Sequence, residues 1–334
     1  MNKILLVFLI TQSAFSICVK EYQLSGLNLL NQLNSLNQTR TFYLNKFDQF
    51  VPLTNLSKIN PTKSYTLQEN QTPILRDYDD RYIKYYRYQR MLDFLKTKKQ
   101  EFTNLDYKIE TIGKSIQGRS LFSIYPKSID PNKSVILMFG RHHGDEGTAN
   151  WIIEGFVNNF LNDSEFNSKF QLVLYPMVNP DGAENRVRYN KNGRDLNRSW
   201  NREPSRSKDE IQTIQSHLIK NLLSSNTPVI ALDMHGSFTE DFIYRVQKKF
   251  IDLDFYNIQQ NFIDTLGSFD TWQRGNFKHS NGHPKMARIL LVRDYKLNAL
   301  THETQRDISL NANRTLEDVL KQGRDVLNSI KLLY

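Results

Sequence analysis

Ser134-Val-Ile-Leu-Met-Phe-Gly-Arg-His-His-Gly-Asp-Glu146 is the stretch on which the fold turns. Val135 to Phe139 are uninterrupted apolar residues, the pattern of a strand covered on both faces, as parallel strands of α/β sheets are. The polar segment behind it, with His142, His143 and Glu146, then falls at the carboxyl end of that strand, where such sheets collect their ligands. A second apolar run, over 228–234, ends on His235 in the same way. Two imidazoles and a carboxylate are the donor types of a catalytic zinc site, which keeps one position open. His142 competes with His143 as a donor, and Gly144 gives backbone freedom directly after His143.

Outward from this stretch, helix and strand patterns alternate. The spacing of apolar residues predicts helices over 85–102, 147–161, 209–223, 250–266 and 316–333. Strands are predicted over 107–112, 121–125, 134–139, 171–178, 228–234, 289–292 and 297–301. The first two form a hairpin around Gly113-Lys-Ser-Ile-Gln-Gly-Arg119. That alternation argues for a three-layer α/β/α sandwich with a mixed, mostly parallel central sheet.

The chain has 334 residues and a net charge of +9, but its basic residues are scattered. Lys96-Thr-Lys-Lys99 is the densest group, and without a basic patch or stripe no nucleic-acid partner is expected. Met1-Asn-Lys3, an apolar run over 4–10 and then polar and small residues make the layout of a secretory signal peptide. The apolar run is too short to span a bilayer, and cleavage after Ser16 or Cys18 suits the small-residue rule. The expectation is a secreted protein (periplasmic if bacterial) with no membrane span after cleavage. Cys18 is the single cysteine, so no internal disulfide is possible.

Three segments are expected: residues 1–18 as the signal peptide, 19–81 as an N-terminal extension or propeptide-like segment, and 82–334 as the catalytic domain. The middle segment is rich in Asn, Gln, Thr and Leu and interrupted by Pro52, Pro61 and Pro73. In it Leu24, Leu27, Leu30, Leu33 and Leu36 permit an amphipathic helix. Oligomeric state is not legible.

Individually the site motifs are weak. A lone His-x-x-Glu pair is common on surfaces, and Asn179-Pro-Asp-Gly182 by itself is a good turn. His279 and His283 lie in a polar loop and read as solvated. His302 and Glu303 are neighbours in a strand, so only one of them faces the site. What carries weight is the ordered series, with His143, Glu146, Asn179, His235 and Glu303 all at the carboxyl ends of predicted strands.

That series resembles the zinc carboxypeptidase family typified by carboxypeptidase A, over residues 82–334. It runs Gly113-Lys-Ser-Ile-Gln-Gly-Arg119, His143-x-x-Glu146, Asn179-Pro-Asp-Gly182, Asp195-Leu-Asn-Arg198, Asp233-Met-His235 and Thr301-His-Glu303. The resemblance implies one zinc per chain, held by His143, Glu146 and His235. It makes Glu303 the general base for a zinc-activated water and Arg188 the residue that polarises the scissile carbonyl. Asn197 and Arg198 become the pair that binds the substrate's terminal carboxylate, and Asp195 the carboxylate that orients His143. The implied activity is a zinc-dependent metallocarboxypeptidase acting on peptides with a free C-terminal carboxylate. Two alternatives are a zinc amidase acting on cell-wall (diaminopimelate-type) peptides and a catalytically silent binding protein of the same fold. Asp145 stands where the family carries Arg, and no tyrosine over 272–285 matches the family's substrate-capping one. For the selectivity pocket, Arg288, Arg293 and Asp294 lie at a suitable distance before Glu303. A cation there favours acidic terminal residues and Asp294 basic ones, and the sequence does not choose.

Overall fold

The computed structural model describes residues 83, 86–280, 282–306, 308 and 313–334, together with the backbone of five N-terminal strands. Those strands are β1 (Ile4–Ser13), β2 (Ser16–Ser25), β3 (Thr41–Leu44), β4 (Phe50–Leu53) and β5 (Lys63–Gln68). They pair in the order β4-β3-β1-β2-β5, with Ile4 opposite Ser25 and Ser13 opposite Ser16. This belongs to the first of two compact units, residues 1–76; the second is 77–334. Cleavage after Ser16 or Cys18 would remove β1, so this sheet is that of the uncut chain. Leu24 lies in β2, and the remainder of the expected leucine helix lies outside the described residues.

The second unit begins with α1 (Tyr88–Asn104), β6 (Tyr107–Lys114), β7 (Ser120–Pro126) and β8 (Ser134–Gly140). It continues through α2 (Thr148–Asn162), α3 (Ser164–Lys169), β9 (Phe170–Tyr175), α4 (Pro180–Asn185) and α5 (Glu210–Leu218). Then come β10 (Ile230–Ser237), β11 (Phe242–Arg245), α6 (Leu253–Phe269), β12 (Phe277–His279), α7 (Ala287–Tyr295), β13 (Ala299–Gln305) and α8 (Leu316–Leu333). The sheet order is β12-β11-β13-β10-β8-β9-β7-β6. Its four central strands, β13, β10, β8 and β9, are mutually parallel, and antiparallel pairings join β6, β7 and β11 to them. The sheet is therefore mixed, with a parallel centre.

Strand alternation divides the apolar run of β8 between two cores. Ile136 and Met138 pack with Phe94 of α1, Phe156 of α2, Ile263 of α6 and Val326 of α8. Val135, Leu137 and Phe139 pack on the other face with Ile211 and Ile214 of α5 and Leu290 and Leu291 of α7. Helices cover both faces, which gives the three layers and explains why β8 has no polar alternation. Each fully buried side chain of this kind contributes roughly 1.5–3 kcal/mol relative to exposure.

Two expectations change. Residues 289–292, read as a strand, lie in the helix α7; a four-residue apolar run cannot separate buried strand from buried helix by periodicity. The helix expected over 209–223 is α-helical only to Leu218 and finishes as a π-turn, Ile219–Leu223. The edge strands β11 and β12 were not anticipated; they are four and three residues long, too short for an alternating pattern.

Candidate metal centre and substrate-binding site

His143 and Glu146 sit in the loop between β8 and α2, and His235 is on β10 near its carboxyl end. The loop is shaped from below by Arg141, a buried residue in the left-handed region at φ 65°. Its guanidinium donates to Gly144 O (2.8 and 3.1 Å), Tyr86 O (2.7 Å) and Asn150 Oδ1 (3.0 Å). Gly144 is required for close approach, not for an unusual φ as the sequence suggested. A Cβ there would lie 2.0 Å from the carbonyl carbon of Gly182 and 2.4 Å from Ala183 N. Asn179 caps α4 through Gly182 N (2.9 Å) and donates to Arg188 O (3.1 Å), which also accepts from Gly144 N (3.2 Å). Asp181 meanwhile accepts from Ser115 Oγ (2.7 Å), Gln117 N (2.9 Å) and Arg119 (2.7 Å). The glycine-bounded turn and the Asn-Pro-Asp-Gly segment thus lock to each other and carry the donor loop.

The three expected ligands converge. Nδ1 of His143 lies 2.8 Å from Glu146 Oε1 and 3.1 Å from Nδ1 of His235, whose Nδ1 lies 2.8 Å from Glu146 Oε2. These separations approach the edge of a tetrahedral zinc site, about 3.3 Å for bonds of ~2.0 Å, so the residues present fit a zinc ion. All three are buried, and Gly236 N adds a bond to Glu146 Oε2 (3.0 Å).

Partners behind the imidazoles aim their Nδ1 lone pairs at the centre. His143 Nε2–H donates to Asp195 Oδ1 (3.1 Å), the orientation expected of Asp195. His235 Nε2–H donates to Asp233 Oδ2 (2.9 Å). The other Asp233 oxygen accepts from His142 Nδ1 (2.7 Å), and His142 Nε2 accepts from Trp200 Nε1–H (3.0 Å). His142 is therefore neutral with its proton on Nδ1, and it acts behind His235 instead of competing with His143. This Trp200–His142–Asp233 chain was missed; only the Asp-x-His spacing hinted at its last member. Burial acts to raise both aspartates, but the histidines, with Arg188 for Asp195, outweigh it and hold them below the ordinary carboxylate range.

Glu303 is register-paired with His235 in parallel strands, so both side chains leave the same sheet face. His302 goes to the opposite face, near Asp270, Asp241 and Arg314. Burial pushes the Glu303 carboxyl up to about 7, opposed by His235 and helped by Glu146. Arg188 places Nη1 3.2 Å from His143 Nδ1 and donates from Nη2 to Asp195 Oδ2 (2.9 Å). Asn197 is buried and bonded within the protein: Oδ1 accepts from Ala287 N (2.9 Å) and Nδ2 donates to Asp233 Oδ2 (3.1 Å). Arg198 is half-buried and uses Nη1 on Asn197 O (2.8 Å). Asp145 pairs with Arg306 (2.6 Å), whose guanidinium lies 3.8 Å over the exposed ring of Phe238. His279 and His283 are exposed and belong to neither described His/carboxylate cluster.

Among the three pocket candidates, Arg293 and Asp294 bond to each other at 2.6 Å. Arg293 also lines a hollow of about 560 Å³ with Val246, Phe250, Ile289 and Val292; no candidate catalytic residue lines it. Arg288 points inward from α7 and is 1% exposed.

Residues 90–244 match the family model for zinc carboxypeptidase. The frog (Xenopus tropicalis) protein named cytosolic carboxypeptidase 2 is 29% identical over 165 residues, 45% of this chain and 17% of that protein. The chain thus spans under a fifth of that relative's length. Among solved structures, a metallo-carboxypeptidase from Burkholderia cenocepacia aligns with TM-score 0.63 at 16% identity, covering 87% of this chain and 77% of its own. A metallo-carboxypeptidase from Pseudomonas aeruginosa, in complex with (2-guanidinoethylmercapto)succinic acid, aligns with TM-score 0.63 at 18% identity, covering 97% and 87%. At those identities the structures speak for the fold. Over residues 90–244 the chain is similar to the zinc carboxypeptidase family, and its sheet has the fold of the solved metallo-carboxypeptidases.

Proposed function

We propose that the chain is a zinc-dependent metallocarboxypeptidase, hydrolysing the C-terminal peptide bond of peptides that end in a free carboxylate. The observation that carries the reading is the buried donor triangle of His143, Glu146 and His235 with Glu303 leaving the sheet beside it. Zinc, when bound there, supplies a Lewis acid that polarises a carbonyl and acidifies water. Glu303 accepts the proton of the attacking water and returns it to the leaving amine. Its raised, near-neutral affinity for a proton supports both halves of that task. Arg188, with Nη1 facing the donors, stabilises the developing oxyanion, a contribution of about 3 kcal/mol for one well-placed donor.

Arg198 is assigned the terminal carboxylate, which its planar fork holds by two parallel bonds. Truncating such a contact costs about 2–5 kcal/mol. Wild type is therefore expected to cleave a free-acid peptide and spare its C-terminally amidated twin. Arg198→Ala should narrow that gap by slowing the acid. Equal cleavage of the amidated peptide at an internal bond would remove the exopeptidase assignment. The same assay run on cell-wall muropeptides separates a peptidase from an amidase for diaminopimelate-type peptides.

We further propose export, with residues 1–18 removed, 19–81 as an extension and 82–334 as the catalytic domain. N-terminal sequencing of exported material is expected to begin near residue 17 or 19. Intact Met1 in that fraction would overturn it.

A further inference from the structure

Asn132-Lys-Ser134, Asn162-Asp-Ser164, Asn197-Arg-Ser199 and Asn313-Arg-Thr315 share one pattern, an asparagine with a hydroxyl side chain two positions on. Asn37, Asn55 and Asn70 begin triplets of the same kind and lie outside the residues whose side chains are described. The pattern is that of an acceptor for N-linked sugar in an exported protein, and it implies an asparagine on a surface loop. An asparagine-rich chain contains such triplets by chance, so their surroundings decide which of them can carry a sugar.

Three of the described triplets share a setting and the fourth does not. Asn132 is exposed in the turn before β8, Asn162 is exposed as the last residue of α2, and Asn313 is exposed in the turn before α8. A glycosylated amide keeps one N–H. Asn132 Nδ2 donates to Asp130 Oδ1 (3.1 Å) and Asn162 Nδ2 to Asn158 O (2.7 Å), and one remaining N–H serves each bond with a sugar on the same nitrogen. Asn197 is 1% exposed, and its Nδ2 donates to Asp233 behind the metal centre. A bulky, solvated sugar has no room there, so a chain modified at Asn197 cannot close this fold.

Asn132 and Asn162 also lie at one end of the molecule. Lys133 Nζ donates to Asn167 O in α3 (2.9 Å), and α3 begins at Ser164, the hydroxyl residue of the Asn162 triplet. Asn132 precedes β8 and His143 follows it, so a seven-residue strand stands between this end and the donors. At about 3.3 Å per residue that is roughly 20 Å. Sugars at this end leave the metal centre open to peptides.

We propose that Asn132, Asn162 and Asn313 are N-glycosylation sites and that Asn197 stays unmodified. The co-reactant is an oligosaccharide joined through C1 of its first sugar to a polyprenyl diphosphate. The asparagine amide nitrogen bonds to that C1, the bond from C1 to the diphosphate oxygen breaks, and the amide proton leaves with the diphosphate. The proposal rests on the export reading, because the lipid-linked donor meets a chain only as it is exported.

The test expresses the full chain with its own leader in cultured insect cells and takes protein from the medium. N-terminal sequencing comes first. Peptide N-glycosidase in heavy-oxygen water then converts each glycosylated asparagine to a labelled aspartate, which peptide mass spectrometry locates. Asn132, Asn162 and Asn313 are expected to carry the label and Asn197 to lack it. Label on at least two of the three, with Asn197 bare, sustains the proposal. Leader-free protein with label on fewer than two overturns it while export stands, and so does labelled Asn197 in protein that binds one zinc per chain. Chain retained in the cell with Met1 intact overturns the export reading instead, and the same chain behind a borrowed leader then tests the acceptors by the same count. Asn132→Gln and Asn162→Gln should each remove one glycan step on a gel and keep kcat/KM on a free-acid peptide within about twofold of wild type, in line with their distance from the donors. Neither step lost would overturn both assignments.

Discussion

Glu303→Gln is expected to lower kcat by about 10²–10⁴-fold, the range for loss of a positioned general base, while zinc per chain stays at the wild-type value. Glutamine keeps the size and most of the polarity of the side chain, so the local packing of β13 is preserved. It cannot accept a proton. Glu303 lies outside the donor triangle, whose mutual contacts run between His143, Glu146 and His235. Its removal therefore leaves the ligands and their supports, Asp195 and Asp233, in place. The informative readouts are kcat on a free-acid peptide, KM on the same peptide and metal content by elemental analysis. An effect confined to kcat identifies a group that acts only in the transition state. A kcat within tenfold of wild type would assign the base elsewhere, and a parallel loss of zinc would make Glu303 part of the metal site.

The parts of the fold legible in the sequence are those where burial is extreme. β8 and the early part of β10 read as uninterrupted apolar runs because helices cover both of their faces. The donors could then be placed at strand ends without knowing the neighbours. α7 defeated the same logic. Its Ile-Leu-Leu-Val segment is buried as a helix, and four residues show neither period. β11 and β12 earn their places by pairing with β13 and with each other, which is tertiary information. The same holds for the residues behind the ligands. Trp200, His142 and Asp233 come from three separate segments, and nothing in their local sequence announces a hydrogen-bonded chain. Asn197 shows the converse: its motif was visible, but only the structure reveals that its amide already serves Asp233 and Ala287. The different settings of Arg288, Arg293 and Asp294 likewise needed the helix, since α7 buries the Arg288 guanidinium while Arg293 and Asp294 pair with each other.

Metal substitution series separate ligands from their supports. Wild type is expected to hold one zinc per chain, and His143→Ala and His235→Ala to lose it on dialysis against a weak chelator. Either change removes one of three protein donors and leaves Glu146 with one imidazole beside Arg188 Nη1 (3.6 Å) and Gly236 N (3.0 Å). His142→Ala is expected to behave differently. His142 is as buried as the ligands, but its Nδ1 proton is committed to Asp233 and its Nε2 accepts from Trp200. Both ring nitrogens are thus occupied away from the centre. Its removal loosens Asp233, which then holds His235 less firmly, and weakening a support of this kind costs about 10–100-fold in metal affinity. His142→Ala should therefore bind one zinc at saturating metal and release it at a chelator concentration that wild type withstands. His279→Ala and His283→Ala, at exposed positions, should match wild type throughout. The measurements are zinc per chain after dialysis and a competition titration against a chromogenic chelator, with a circular dichroism spectrum to show that each variant is folded. Full zinc retention in folded His143→Ala and His235→Ala would remove the metal centre from this site. Complete loss in His142→Ala at saturating zinc would exchange the roles of the two adjacent histidines. The Asp233 bridge predicts neither, because it ties His142 to His235 through a carboxylate that the metal itself does not need to touch.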